Sequence, residues 1–401
     1  MRIALGPHRA AALLSTAFLF PLGAATLMVP WLLGLRIAAI VKSRRTWWVR
    51  SPLDLPIAGF LTLALIAGIL SPNPPVAIGS WALSALGFVI VLQFALAALQ
   101  DIPGLVRRVH QAFAVGTLVA SVWGLAIFFI AHVDRARLPA IGPDALGFGL
   151  AAGLLLTLPL LDGPPPWRTF AVITLPLAGA GLLLSFTRGA LYAVAAGGLV
   201  HLALLRDTRV KLGRIGFVVA GAAACAAIVL IPQVSQALVG HLREVSGASS
   251  PGGGVALLRK TAAYLFSGES NGDRFFIWRG ALRVIAAHPW FGVGLGVFPF
   301  VVFNWDPNLP PGMLPHSLYL DLAAEAGIPA ALVFLMIPAV AMAAALRRRD
   351  CYRDAAVAAL AGMLAAEVRD NILIGFHMAL GLMLVLALLT AGPRAESAHE
   401  V

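Results

Sequence analysis

A series of long apolar segments, separated by short polar loops, is the feature that most limits what this chain can fold into. Several segments approach the roughly 20 residues that a helix needs to cross a bilayer. Hydrophobic residues make up 60% of the 401 residues and charged residues 12%, which is more apolar surface than a soluble fold of this length could bury. The segments also lack the alternating pattern of barrel strands. The sequence therefore predicts an all-α, polytopic membrane protein.

The apolar segments predict about twelve transmembrane helices. The first run, residues 10–41, is interrupted around residues 21–23 and at Pro30, which indicates two short helices. A cleaved signal peptide over residues 1–29 is the alternative, but the continuing apolar run favours a retained anchor. Later spans are predicted at residues 55–70, 80–98, 109–131, 145–161, 169–185, 189–205, 213–233, 318–346, 355–368 and 372–391.

These spans divide the chain into three parts. They are an N-terminal bundle of about nine spans (residues 1–233), a loop with short helices (234–315) and a C-terminal part of about three spans with a tail (316–401). One set of loops holds most of the Lys and Arg residues, whereas the opposite short loops hold only Arg135, Arg137, Arg188 and Arg369. The positive-inside rule makes the first set cytoplasmic, together with both termini. The net charge of +11 therefore reflects topology, and the large loop is predicted to face outward.

Two elements of the outward-facing stretch carry most of its polar groups. Residues 273–287 are expected to form a helix, with Arg274 and Trp278 on its packed face and Arg279 and Arg283 on another, solvated or headgroup-facing side. The alternating glycines at 292, 294 and 296 resemble a phosphate loop only weakly. A tight turn in which one backbone approaches another is the better interpretation.

His316 stands immediately before the apolar helix predicted at 318–346, at the outer membrane boundary. Histidine can act as a base near neutral pH, although a lone histidine is more often structural. Asp321 and Glu325 follow one turn apart on that helix. They could orient His316, pair with an outer arginine, or form a structural pair shielded from lipid.

The turn at residues 185–190 joins two apolar helices with almost no loop and holds Arg188 at the outer boundary. A guanidinium group binds anionic oxygens in a bidentate manner, so Arg188 and Arg274 could clamp a lipid-linked diphosphate. Snorkelling to lipid phosphate is the alternative. Arg135, Arg137 and Arg369 are weaker candidates of the same kind. No histidine or acidic spacing predicts a metal site.

These residues give the chain a family resemblance. Ser185-Phe186-Thr187-Arg188-Gly189-Ala190, Asp273-Arg274 with Trp278, the string His288-Pro289-x-x-Gly292-x-Gly294, and His316 leading into Tyr319, Glu325 and Gly327 resemble the motifs of the O-antigen ligase and polymerase superfamily, membrane glycosyltransferases of the GT-C-like type. One departure is Ser317, where the family usually has Asn after the histidine; a serine can cap a helix start as asparagine can.

The resemblance implies transfer of a glycan from undecaprenyl diphosphate to a hydroxyl acceptor, typically lipid A-core, in lipopolysaccharide biosynthesis. The reaction would be an inverting displacement on the periplasmic face of the bacterial inner membrane, without metal, nucleotide or other cofactor and without nucleic acid. Arg188, Arg274 and His316 would be catalytic. Substrate binding would involve Arg135, Arg137, Arg279, Ser317, Glu325 and Arg369.

Three alternatives stay open at this point. The first is a polymerase of the same superfamily, and the second is a protein O-oligosaccharyltransferase; both need the same donor. The third is a transporter for a lipid-linked glycan, which predicts symmetric halves and charged or broken helices near the bilayer middle. The candidate arginines instead cluster at one boundary, which disfavours transport.

Overall fold

The computed structural model describes residues 5–43, 48–139, 141–216, 272–306, 309, 312–348, 350–368, 370 and 376–391, with four isolated positions between 234 and 239. The predicted span at 213–233 lies almost wholly outside them, as do Arg369 and most of the loop between residues 234 and 271. The predicted domain boundaries and the total number of crossings therefore stay predictions.

The N-terminal part is a succession of apolar helices. They are α1 (Leu5–Leu19), a 3-10 turn (Ala25–Met28), α2 (Val29–Ser43), α3 (Asp54–Ile69), α4 (Pro74–Leu86), a π-helical segment (Gly87–Leu92), α5 (Gln93–Asp101), α6 (Leu105–Ile130), α7 (Pro143–Thr157), a 3-10 turn (Leu158–Asp162), α8 (Pro165–Leu184) and α9 (Arg188–Leu204). Residues 208–216 are also helical.

The C-terminal part contains six further helices. They are α10 (Gly272–Ala287), α11 (Phe298–Trp305), α12 (Leu318–Glu325), α13 (Ile328–Leu346), α14 (Cys351–Ala366) and α15 (Phe376–Thr390). Within the described ranges the regular secondary structure is helical, apart from one isolated bridge between Leu138 and Ile141. The prediction of an all-α polytopic membrane protein is confirmed.

Five helical stretches are long and apolar enough to cross a membrane: Pro74–Asp101, Leu105–Ile130, Pro143–Asp162, Pro165–Leu184 and Ile328–Leu346. The first of these is longer than the predicted span at 80–98, because the π-helical segment continues the helix from α4 into α5. Shorter apolar helices include Asp54–Ile69 and Arg188–Leu204.

The prediction of one continuous helix at 318–346 is wrong. The chain breaks at residues 326–327 into α12 and α13, and Gly327 at the break has a φ of 85°. Pro329 follows at the first turn of α13, where its missing N–H needs no partner. The break has a tertiary cause, because the segment after α10 docks its backbone there, as described below.

Small residues let the bundle close around the site. α9 packs most extensively against α14. A Cβ atom added at Gly362 would collide with the backbone oxygen of Ala193, and one at Gly197 would lie 2.6 Å from the oxygen of Ala358. The two helices therefore meet backbone to backbone, as small residues allow in membrane bundles. This contact fixes the start of α9, which carries Arg188, beside the end of α14.

Candidate active site

The turn between α8 and α9 is held by a dense set of hydrogen bonds. Ser185 Oγ donates to the oxygen of Leu182 at 2.6 Å, and Thr187 Oγ1 lies 3.1 Å from both Ser185 Oγ and Asp144 Oδ1. Phe186 takes a φ of 52°, which is uncommon outside glycine. The turn is thus rigid, and it presents Arg188, half-buried, as the first residue of α9.

Arg135 is part of this turn rather than a free cation. Its Nε donates to the oxygen of Ser185 at 2.7 Å, and its Nη2 donates to Asp144 at 2.6 Å. Its donors are thus used to hold the turn, which favours a positioning role over the predicted contact with substrate. Arg137 lies exposed on the same loop, two residues further on.

One face of α10 is apolar and buried, and polar side chains lie along the edge of that face. Ile277, Ala281 and Val284 are buried on the face that packs against the rest of the protein. Arg274 and Trp278 flank this face and are half-buried, as predicted from the helical periodicity. Trp278 Nε1 donates to the oxygen of Pro315 at 2.8 Å, so α10 holds the residue that precedes His316.

The other face of α10 differs in part from the prediction. Arg279 is exposed, in agreement with a solvated position, and none of the hydrogen bonds described here involves it. Arg283 was predicted to share that solvated stripe. Instead its Nη1 donates to Asp306 Oδ2 at 2.8 Å and to the oxygen of Trp305 at 3.1 Å, which ties α10 to the end of α11.

Asp370 connects the two arginine sites and was not predicted from the sequence. Its Oδ1 accepts a hydrogen bond from Arg274 Nη2 at 3.5 Å. A Cβ atom at Gly189 would collide with Asp370 Oδ2, so the carboxylate lies against the N-terminal turn of α9, next to Arg188. An anion is favoured there by the helix dipole. One sequence feature could have indicated Asp370: it is an acidic residue next to Arg369 in a short connection between two apolar segments.

Asp370 also lies beside the start of α12. The N–H of Leu318 donates to the oxygens of Glu367 and Asp370 at 3.0 and 3.2 Å. Glu367 and Asp370 therefore contact three elements: the start of α9 with Arg188, α10 with Arg274, and the chain at His316. The structure thus brings the elements that carry the three predicted catalytic residues together at Asp370, although these residues lie far apart in the sequence.

His316 is half-buried and has a φ of 50°, in the left-handed region. Its pKa is lowered from the ordinary value of 6.5, first by burial and then by the positive charge of Arg274. A neutral imidazole is therefore favoured at pH 7, and a neutral imidazole can accept a proton. A strained backbone at a polar site is also a frequent mark of function.

Ser317 occupies the N-cap position of α12, but its side chain makes no capping hydrogen bond. The capping that a serine can provide at a helix start is therefore not made by Ser317. The N–H of Asp321 is instead bonded to the backbone oxygen of Ser317, and the serine side chain is buried. Its predicted contact with substrate stays a prediction.

Glu325 has a structural contact in this fold. Its Oε2 accepts from the N–H of Gly296 at 2.7 Å and its Oε1 from the N–H of Phe298 at 3.1 Å, at the start of α11. Both carboxylate oxygens are thus bonded to backbone, which favours a positioning role over the predicted substrate contact.

The alternating glycines form the close backbone contact that the sequence predicted. Gly292, Gly294 and Gly296 all have positive φ values, of 62°, 99° and 72°. The N–H of Gly294 donates to the oxygen of Glu325 at 2.7 Å, and the N–H of Val293 donates to that of Ala324 at 3.0 Å. This contact closes over the break between α12 and α13 and so fixes the direction of α12.

Replacing Gly327 by alanine is expected to destabilise the protein by about 2 kcal/mol or more, because a Cβ would meet the backbone oxygen of Trp290 and φ is 85°. The measurement is the thermal unfolding temperature in detergent. Gly198→Ala is the control, since no atom lies within 4 Å of its added Cβ. Equal unfolding temperatures for the two variants would contradict the proposed docking of the 288–296 segment.

A cavity of about 200 Å³ lies beside α12. Leu318, Leu322 and Asp321 of α12 face it, together with aromatic and aliphatic residues of α3, α13 and α15 that include Phe60, Phe334 and Met383. The cavity begins within one turn of His316. It is largely apolar, with a few acidic and hydroxyl groups. No group of three or more His, Cys, Asp or Glu within the described ranges could hold a metal ion.

A comparison with protein families agrees with this geometry. The family model described as O-antigen ligase matches residues 173–335. These residues, less than half of the chain, are similar to that family. The match includes Arg188, Arg274 and His316 and confirms the superfamily that the sequence motifs resembled, whereas Asp370 lies outside it. Among curated proteins no similar sequence is found. The match supports a membrane glycosyltransferase activity of the O-antigen ligase and polymerase type.

Proposed function

We propose that the protein is an O-antigen ligase that transfers a glycan from undecaprenyl diphosphate to a hydroxyl acceptor, lipid A-core, at the outer face of the bacterial inner membrane. The observation that carries this proposal is the convergence of Arg274, His316 and the N-terminus of α9 around Asp370. These groups combine a site for anionic oxygens with a neutral base, which are the two requirements of glycan transfer from a diphosphate.

The arginines would serve the leaving group. Breaking the bond between the anomeric carbon and the diphosphate oxygen leaves negative charge on that oxygen. Guanidinium groups stabilise such charge in a site of low water content. In the absence of substrate, Asp370 balances Arg274 through a long contact of 3.5 Å. A diphosphate would compete for that guanidinium with more charge and in bidentate geometry.

His316 would serve the acceptor. The hydroxyl oxygen forms the new bond to the anomeric carbon on the face opposite the leaving diphosphate, so the configuration inverts. The hydroxyl proton passes to a ring nitrogen of His316, and the electron pair of the broken bond stays on the diphosphate. The apolar cavity beside α12 supports a lipid-linked donor, because its lining suits a prenyl chain.

The deciding experiment uses the purified chain with a lipid-linked glycan and a panel of acceptors, without nucleotide. Glycan attached covalently to lipid A-core supports the ligase. Extension of a second lipid-linked repeat unit would identify a polymerase, and attachment to a peptide hydroxyl would identify a protein glycosyltransferase. Movement of the donor across proteoliposomes without any covalent product would reject the enzyme proposal.

Activity is expected to depend on pH through His316. The lowered pKa means that the imidazole is neutral at pH 7, so kcat/KM should be on its plateau there and should fall on the acid side with a midpoint below 6.5. The measurement is kcat/KM from about pH 4.5 to about pH 8.5, which is about two units on either side of the ordinary histidine pKa. A midpoint above 6.5 would contradict a neutral base in this environment.

A further inference from the structure

A second polar site lies at the end of the bundle opposite to the candidate active site. α6 begins just after Asp101 and ends beside the loop that holds the turn at residues 185–187. Its 26 residues correspond to about 39 Å. Arg9, near the start of α1, donates to Asp101 Oδ2 at 3.2 Å. The Arg9–Asp101 pair therefore lies far from Arg188, at the end that the sequence predicts to be cytoplasmic.

Arg36 of α2 is buried near this pair. It is 8% exposed, and it shares the inward face of α2 with Leu32, whereas Leu33 and Ile37 are exposed. Its Nε and Nη2 atoms are buried, and no acceptor in the described part of the chain lies within hydrogen-bond distance of either. A buried guanidinium whose donors have no acceptor is costly, and such groups in membrane helices normally have a partner.

The neighbouring charges increase this cost. Arg9 lies close enough to Arg36 to repel it, and the carboxylate of Asp101 is bonded to Arg9. The arrangement therefore offers inward-facing donors and positive charge, and it needs an anion to balance them.

The position of Arg36 favours a lipid phosphate as that anion. Arg36 lies seven residues before Ser43, the last residue of α2, which is about 10 Å along the helix. An arginine side chain at that depth reaches towards the headgroup level. The loops at this end are rich in Lys and Arg, which attracts anionic headgroups.

We propose that Arg36 and Arg9 form a binding site for a phosphate group, supplied by the headgroup of an anionic phospholipid that inserts between α1 and α2. The planar guanidinium of Arg36 would donate Nε and Nη2 to two phosphate oxygens. The lipid would then hold α1 and α2 together at the end of the bundle that carries no part of the proposed transferase chemistry.

The test is native mass spectrometry of the full chain released from detergent, titrated with phosphatidylglycerol or with phosphatidylcholine. The wild type is expected to retain one phosphatidylglycerol preferentially, and Arg36→Met to lower its affinity by about tenfold, as loss of a charge-assisted hydrogen-bond pair would. Arg108→Met is the matched control, because Arg108 is exposed at the same end of the bundle. Inorganic phosphate is added in a separate series.

Each result decides the proposal. Selective phosphatidylglycerol binding that is lost in Arg36→Met and kept in Arg108→Met supports it. Inorganic phosphate that binds with the same dependence on Arg36, without any preference of the wild type for phosphatidylglycerol over phosphatidylcholine, keeps the phosphate site and rejects the lipid as its occupant. Equal lipid binding by wild type and Arg36→Met overturns the site. If Arg36→Met does not fold, phosphatidylglycerol binding is measured for Arg9→Met instead. Weaker binding than in the wild type supports the site, and equal binding overturns it.

Discussion

Replacing His316 by alanine is expected to lower kcat for glycan transfer by about 10²–10⁴-fold, because the acceptor hydroxyl loses the base that takes its proton. His316 is placed for this role by the hydrogen bond from Trp278 to Pro315 and by the bonds of Leu318 to the 367–370 segment. The measurement is single-turnover transfer from a purified lipid-linked donor to lipid A-core, with donor and acceptor both saturating.

Two further variants separate the base from the backbone at this position. His316→Asn removes the base but tolerates the φ of 50°, since asparagine enters the left-handed region readily. It should be as inactive as His316→Ala while unfolding at the wild-type temperature. His288→Ala is the matched control, because His288 is exposed just after α10. Wild-type kcat in His316→Asn would show that the imidazole plays no part in proton transfer.

Replacing Arg274 by methionine is expected to lower kcat/KM by about 10²–10³-fold, which is the usual loss when one stabilising donor of a developing anion is removed. The reason is that Arg274 would meet the leaving diphosphate, and its present partner, Asp370, would release it. The kcat/KM of Arg274→Lys should lie between those of the wild type and Arg274→Met, because lysine keeps the charge but loses the bidentate geometry. Arg279→Met, on the exposed face of the same helix, should retain activity.

The ion pair between Arg274 and Asp370 allows a purely structural role of Arg274 to be distinguished from a role in catalysis. If Arg274 served only to anchor α10 through Asp370, then Arg274→Met and Asp370→Asn would lower the unfolding temperature and the activity to the same extent. Under the proposed role, Arg274→Met reduces activity far more than stability. Asp370→Asn keeps the arginine available for substrate and so costs less activity. Parallel losses in the two variants would reject Arg274 as a contact to the leaving group.

Much of the fold follows from local pattern. The predicted spans at 55–70 and 189–205 agree with α3 and α9 to within one residue, because an apolar segment in a bilayer must satisfy its own backbone as helix. The helix at 273–287 and its packed flank with Arg274 and Trp278 follow from helical periodicity in the same way. The turn at the glycines was predictable because positive φ values are accessible to glycine at little cost.

Contacts between distant segments were beyond such patterns. The break between α12 and α13 depends on the docking of residues 288–296, and the meeting of Arg274 with Asp370 joins residues 96 positions apart. Arg135 and Glu325 were predicted to bind substrate, yet in the fold they bond to protein groups, and only the folded chain shows where those groups lie. The charge on a side chain is visible in the sequence, whereas its partner is not.

The sequence by itself determined the class of the protein, the family motifs and the end of the bundle where chemistry is expected, because hydropathy, charge bias and helical period act over short distances. The tertiary structure decided which of the outer charged residues meet. It placed Asp370 between α9 and α10, gave His316 a neutral-favouring environment and left the buried Arg36 without an acceptor in the described chain. Those features arise from packing between segments far apart in the chain, where burial and nearby charge set the chemistry of each group.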